Sequence, residues 1–370
     1  TYDAPDVGGA PRRTTYAHNT DRQLDLVTRP DGSAIDYVYT VGQNRLEQII
    51  WPAGEGSTSF FYDDAVDGTG QLVSIDGPGG EAMAFAYDGM LPTTTTWTGS
   101  LDARVERTYD ADLRVERLSV ADSSGGAAVY WTDYLYDDPD GLMSAAGDLA
   151  LTRDPDNGLL TATALGDVAT TTTYTLFGEL YSTTATHAGT TLYRETHLDR
   201  DALGRTTRVE EELGGVITEY EYVYDLAGRL EEVWQDGSQL YDYDYDPNGN
   251  RTAVTQGASG ISTVAVFDDQ DRIVEDGGTT TYDFDDNGFL LSRTRPTGTT
   301  DYVYDAMGAL RSVTLEDGTE VTYAIDPTGR RIGRSVDGTP THQWVYQDAL
   351  NPVAELDGYG ALRSVFIYGT

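Results

Sequence analysis

Residues 241–251 read YDYDYDPNGNR, and they place oxygen-bearing side chains at every second position: Asp242, Asp244, Asp246 and then Asn248, ahead of Gly249 and Asn250. Counted from Asp244, this matches the first half of an EF-hand loop, with oxygen ligands at positions 1, 3 and 5 and glycine at 6. The second half does not follow. Position 12 requires a bidentate glutamate and is Thr255. The flank Tyr241–Tyr245 alternates with period two, which is the signature of a strand rather than of the helix an EF-hand needs. The stretch therefore reads as a strand entering a turn. Weak calcium binding by Asp-rich turns without an EF-hand stays open at this level.

Other chemistries are narrowed by residue type. The four histidines, His18, His187, His197 and His342, show no H-E-x-x-H or paired spacing, and each reads as an isolated surface residue. No G-x-S-x-G elbow occurs. Gly77–Ala82 formally matches G-x-G-x-x-A, but it follows Asp76 in a turn with no helix to receive a pyrophosphate. All 24 basic residues are arginine. Without lysine there is no P-loop and no Schiff base. Without cysteine there is no disulfide framework or thiolate. The 62 acidic residues leave a glycosidase pair arithmetically open, yet they follow a repeat register that assigns them to turns and solvation. No catalytic, cofactor or metal site is expected. The net charge of −38 should repel nucleic acid and anionic lipid. No apolar run approaches the roughly 20 residues of a membrane span.

The elements that carry these residues repeat. Aligned on an aromatic-Asp pair, the second half gives YDLAGRLEEV from Tyr224, YDPNGNRTAV from Tyr245 and FDDQDRIVED from Phe267. FDDNGFLLSR follows from Phe284, YDAMGALRSV from Tyr304, IDPTGRRIGR from Ile325 and YQDALNPVAE from Tyr346. The steps are 21, 22, 17, 20, 21 and 21 residues. Weaker copies begin near Tyr16, Tyr39, Tyr62, Tyr87, Tyr109, Tyr136, Arg153, Tyr174 and Leu198, giving about sixteen units without a linker. In each, the aromatic residue ends an incoming strand. The aspartate (Asp225, Asp246, Asp305, Asp326) can accept backbone N–H groups as an Asx turn. Glycine four residues after the aromatic (Gly228, Gly249, Gly308, Gly329) supplies a positive φ. An arginine such as Arg229 then opens the outgoing strand, positioned to pair across the strands or to stack on a tyrosine.

Joining turns are often Asp-Gly, as at Asp31-Gly32, Asp236-Gly237, Asp317-Gly318 and Asp337-Gly338, a strong hairpin signal. Alternation in 216–224 puts tyrosines on one face and Glu219, Glu221 and Val223 on the other. The expected fold is all-β: tandem antiparallel hairpins of about 21 residues forming one continuous curved β-strip, a spiral shell or cocoon, with residues 1–370 as a single domain. A β-propeller would alternate strong and weak signals over ~42 residues. A parallel β-helix would lack the Asp-Gly hairpins.

The motifs YDLAGRLEEV, YDPNGNR and YDAMGALRSVTLEDG, with Gly141–Leu160 and Trp344–Gly369, resemble the YD repeats of the RHS family, related to bacterial Tc toxin shells and the extracellular region of teneurins. The resemblance spans essentially the whole chain. It implies a non-enzymatic structural shell of a bacterial RHS-type toxin, secreted or at the cell surface, enclosing or presenting a C-terminal effector. The implied partners are that effector or flanking shell segments. The family's self-cleaving core segment has no counterpart here, so its autoproteolytic residues map onto no position. The chain is expected to be part of a longer protein. The alternative function is an extracellular adhesion module that recognises carbohydrate or another cell-surface ligand through tyrosine rows.

Overall fold

A computed structural model describes residues 2–3 and 13–369, apart from 53, 65–67, 124, 138 and 139. The middles of the turns after Tyr62 and Tyr136 therefore lie outside the described residues. The fold is all-β. Strands follow one another as antiparallel neighbours, as Val216–Tyr224, Leu230–Gln235, Ser238–Tyr245 and Arg251–Gln256 do. Among the described residues the only helical element is a three-residue 3₁₀ turn, Pro78–Gly80, within the G-x-G-x-x-A match.

The hairpins form because the turn chemistry permits nothing longer. Where a YD turn carries the motif glycine, that glycine is left-handed: φ is +86° at Gly228, +95° at Gly249, +86° at Gly308 and +89° at Gly329. The Asp-Gly joining turns at 31–32, 236–237, 317–318 and 337–338 fall into two types. At Asp236-Gly237 and Asp337-Gly338 both residues have positive φ, so these are two-residue turns whose twist matches that of the flanking strands. At Asp31-Gly32 and Asp317-Gly318 only the glycine does. There the wider turn is closed by Arg29 donating to the Ser33 carbonyl and Leu315 to the Thr319 carbonyl.

One feature is absent from the sequence pattern. Register slips by one residue as each strand reaches its motif aromatic. Val223 faces Glu232, but Tyr224 faces Leu230, leaving Glu231 without a partner. The same slip occurs at Tyr245, Phe267, Phe284, Tyr304, Ile325 and Tyr346. A bulge bends its strand and raises the local twist, so every YD hairpin is curved at the same point.

The chain divides into two compact units, residues 1–131 with 279–366, and residues 132–278 with 367–370. In the second, burial is thin and one-sided. Within Val216–Tyr224 the tyrosines are half-buried while Glu221 and Val223 are exposed. Val209 and Val233, opposite Tyr220 and Tyr222, are buried on the same face.

The first unit has a dense core. Its N-terminal and C-terminal strips meet where Ala103–Tyr109 packs on Thr339–Tyr346. Trp97, Leu101, Val105, Val120, Ile332, Val345 and Leu356 are all fully buried. Val353 and Ala354 are consecutive in a strand, point to opposite faces and are both buried, so the strip is covered on both sides there. Leu356→Ala is therefore expected to cost about 2–5 kcal/mol in urea unfolding, whereas Leu226→Ala, on an exposed turn, should stay within about 0.5 kcal/mol. Gly329→Ala meets no atom within 4 Å. Its cost, about 1 kcal/mol, should come from backbone strain alone.

Candidate functional site: the repeat lattice and its seam

The unit centred on Tyr224 shows what the motif does. Asp225 is the hub of the turn. Its backbone N–H donates to the Arg229 carbonyl, 2.9 Å, and Gly228 N–H returns to the Asp225 carbonyl, 3.0 Å. The Arg229 amide donates to Oδ1 at 2.8 Å, and its Nε donates to Oδ2 at 2.7 Å. The arginine thus pairs with its own turn's aspartate four residues earlier, rather than with an acid across the strands. Fixed there, its guanidinium lies 4.5 Å from the Tyr245 ring centre and donates through Nη1 to the Asp246 carbonyl, 2.9 Å. The next repeat reaches back: Tyr245 donates its hydroxyl to the Leu230 carbonyl, 2.6 Å.

The scheme recurs. Asp110–Arg114, Asp201–Arg205, Asp268–Arg272 and Asp326–Arg330 are the same i,i+4 pairs. Arg205 stacks on Tyr224, as Arg45 does on Tyr62. Tyr39, Tyr62, Tyr87, Tyr174 and Tyr224 donate to backbone carbonyls of the preceding repeat at 2.7–2.8 Å. Departures keep the geometry. Phe289 occupies the arginine's place and stacks on Tyr304, centroids 5.2 Å apart. Asn250 replaces the arginine after Asp246 and donates Nδ2 to its Oδ2, 2.8 Å. Asp246 Oδ1 already accepts Asn248 and Asn250 amides, and Asn248 Nδ2 donates to Asp271, so the calcium-like stretch is a closed turn. Asp305 Oδ1 accepts the Met307 and Ala309 amides.

Two histidines are not the isolated surface residues that their spacing suggests. His197 Nε2 sits 2.8 Å from Glu195 Oε1, and its Nδ1 lies 3.1 Å from Thr206 Oγ1. Tyr193 donates to Glu195 at 2.6 Å, and that bond, with burial, pushes the Tyr193 phenol well above its ordinary range. His342 stacks on Trp344, 5.9 Å between centroids.

Within the first unit, YD turns of the C-terminal strip meet joining turns of the N-terminal strip. Asn287 Nδ2 donates to Asp31 Oδ2, 2.8 Å. Arg29 donates to the Ala306 carbonyl, and the Ala306 amide donates to Glu55 Oε2, 2.7 Å. Pro327 presses on Gly77, so closely that a Cβ there would lie 3.0 Å from the ring. Next in line, Trp97 Nε1 donates to Asp326 Oδ2, 3.2 Å, and Gln343 donates to the Ser100 carbonyl, 2.7 Å. Three successive YD turns thus engage three successive joining turns. A cavity of about 210 Å³ lies along this seam, lined by Trp51, Pro78, Met307, Ile325, Asp326 and Pro327 among others. The Asp326 side chain is completely buried and paired with Arg330, which also faces Trp97 and Tyr346. Arg29, Glu55, Trp97 and Ser100 gave no sequence signal, since their partners lie some 230–280 residues away.

The Teneurin YD-shell family model matches residues 7–369. The chain belongs to the Teneurin YD-shell family. Its repeats are YD repeats of the RHS kind. Teneurin-4 of Mus musculus is 27% identical over 260 residues, covering 70% of this chain and 9% of that protein. The tRNA3(Ser)-specific nuclease WapA of Bacillus spizizenii is 31% identical over 144 residues, 38% of this chain and 6% of that one. This YD-shell chain thus spans about a tenth or less of these relatives. The crystal structure of TcdB2-TccC3 without its hypervariable C-terminal region matches with a TM-score of 0.57 at 12% identity, covering 90% of this chain and 22% of that one. At that identity the likeness shows a shared fold.

The Arg114 amide holds Asp110, and the Arg229 amide Asp225, below the ordinary carboxylate pKa of 3.8, with the guanidiniums adding to the effect. The Asn250 side chain does the same for Asp246. Such groups contribute stability above the unfolded pKa and lose it as pH falls through the folded one. The melting temperature should therefore drop below pH ~4, and Asp225→Asn should flatten that acid limb in pH-resolved melts. Arg330→Met leaves Asp326 as a lone buried charge and should cost about 3–5 kcal/mol; adding Asp326→Asn should recover part of it, measured by urea unfolding.

Proposed function

We propose that residues 1–370 form a single, non-enzymatic YD-shell domain in a secreted or surface-exposed bacterial RHS-type toxin. Its hairpin wall encloses or presents an effector region that lies outside this chain. Tyr224, Asp225, Gly228, Arg229 and their counterparts at 245–249, 304–308 and 326–329 are the structural repeat motif of that wall. The observation that carries this reading is the destination of the motif side chains: aspartate, arginine and tyrosine are each committed to the same or the adjacent repeat. A chain built this way makes a wall from residues that elsewhere bind or react. The likenesses to a nuclease-bearing bacterial protein and to a Tc toxin shell support an effector as the partner. The charge of −38 favours a basic one.

Carbohydrate recognition through tyrosine rows is not favoured. The motif hydroxyls of Tyr224 and Tyr245 are donating to backbone carbonyls, and the rings of both rows are half-buried.

Limited proteolysis of the complete polypeptide, read by mass spectrometry, tests the proposal. Effector peptides should appear only after the shell is denatured. Cleavage of the effector in the native protein at the rate seen after denaturation would refute enclosure.

A further inference from the structure

The turn after Tyr304 lacks the side chain that the motif aspartate uses elsewhere. Four places after that aspartate stand Arg229, Asn250, Arg272, Phe289 and Arg330 in other turns, but Ala309 after Asp305. Arg229, Arg272 and Arg330 place Nε on the aspartate's Oδ2 at 2.7–2.8 Å, and Asn250 places its amide there at 2.8 Å. Phe289 fills the same place with a ring. Ala309 does neither. Asp305 Oδ1 still accepts the Met307 and Ala309 amides, which closes the turn. Among the described residues nothing donates to its Oδ2, and Arg311 Nη1 approaches only to 3.9 Å, beyond hydrogen-bond reach. The stacking partner is missing as well. Arg229 lies over Tyr245 and Arg330 over Tyr346, whereas the ring position that follows Ala309 is held by Ile325.

Two large side chains of the motif are thus replaced by smaller ones at one point, and the cavity of about 210 Å³ lies there. Ala309 and Ile325 both line it, together with Asp305, Met307 and Arg311. Met307 is 47% exposed and the Arg311 side chain 38%, so the cavity opens to water. The N-terminal strip contributes Ile49 and Trp51. The Trp51 indole N–H is committed to Thr58 Oγ1 at 3.1 Å, which leaves its ring surface for the cavity. Asp326 also lines it, but both of its oxygens are taken by Arg330, Trp97 and Thr328. A space below about 300 Å³ holds a group the size of a side chain rather than a drug-sized ligand. One open carboxylate oxygen beside an aromatic surface is also what Arg229 meets between Asp225 and Tyr245. We propose that this cavity binds an alkylguanidinium group, which takes the place of the arginine that the repeat lacks. Its fork donates to Asp305 Oδ2, its plane lies against the Trp51 ring, and its alkyl stem covers Ile325. A free guanidino compound and the arginine side chain of a partner polypeptide share this chemistry.

Ligand-observed NMR titration of the full chain with N-propylguanidinium tests this, and saturable binding in the millimolar range is expected. N-propylurea has the same shape without the charge, and propylammonium has the charge without the planar fork. Each should bind about tenfold more weakly or worse. Asp305→Asn keeps an oxygen for the Met307 and Ala309 amides and should weaken propylguanidinium binding about tenfold or more. Ala309→Arg supplies the missing side chain from within. It should abolish binding and raise the melting temperature. Ala309→Phe, which copies Phe289, should abolish binding too, so the blocking test stands if one of these variants does not fold. A capped Gly-Arg-Gly peptide separates the two sources. Binding as tight as that of propylguanidinium assigns the cavity to a polypeptide's arginine, and binding about tenfold weaker assigns it to a free guanidino compound. No saturable binding of propylguanidinium, equal binding of propylurea, or binding undiminished in the folded Ala309→Arg or Ala309→Phe variant would each overturn the proposal.

Discussion

Everything in this fold depends on a carboxylate that closes a turn and aims an arginine. Asp225 accepts the Arg229 amide on one oxygen and the Arg229 Nε on the other. The first bond fixes the turn and the second fixes a flexible side chain that would otherwise sample many rotamers. A half-buried ion pair still in reach of water is worth little by itself. Its value here is positional, because the held guanidinium reaches the Tyr245 ring and the Asp246 carbonyl of the next repeat. The tyrosine hydroxyl then answers toward the repeat before it. Order passes along the strip through many modest contacts, which is how the second unit stays folded with little buried apolar area.

The first unit adds a different kind of cohesion. There the strip is buried on both faces around Val353 and Ala354, and a charge, Asp326, is taken fully out of water. Desolvating that carboxylate is tolerated because Arg330, Trp97 and the Thr328 amide all donate to it. A structural motif residue has become a tertiary anchor without changing its role in the turn.

The period, the turns, the two faces of each strand and the left-handed glycines were all legible in the sequence, because each is decided within one repeat. Asp225 as an Asx-turn acceptor and Gly228 at positive φ need only residues a few places away. The bulge at Tyr224 was not legible: which residue is left unpaired depends on the neighbouring strand's register, not on composition. Arginine's partner was half legible. The stacking on tyrosine was readable, while the ion pair to its own turn competed with equally plausible acids across the strand. His197 was misread because Glu195 lies two residues away on the same strand face, a contact that no metal or catalytic spacing would flag. The seam at Arg29, Glu55 and Trp97 is long-range packing, to which a local period is blind.

The seam has one tooth per repeat on each side: Asn287 with Asp31, Ala306 with Glu55, Pro327 with Gly77. Such a rack is tolerant of length in whole modules only. Gaining or losing one complete hairpin between the two sides shifts the mesh by a tooth and leaves it engaged. Gaining or losing half of one sets ridge against ridge. Descendants of this chain should therefore vary in size by quanta of about 21 residues, with the odd fragments confined to loops.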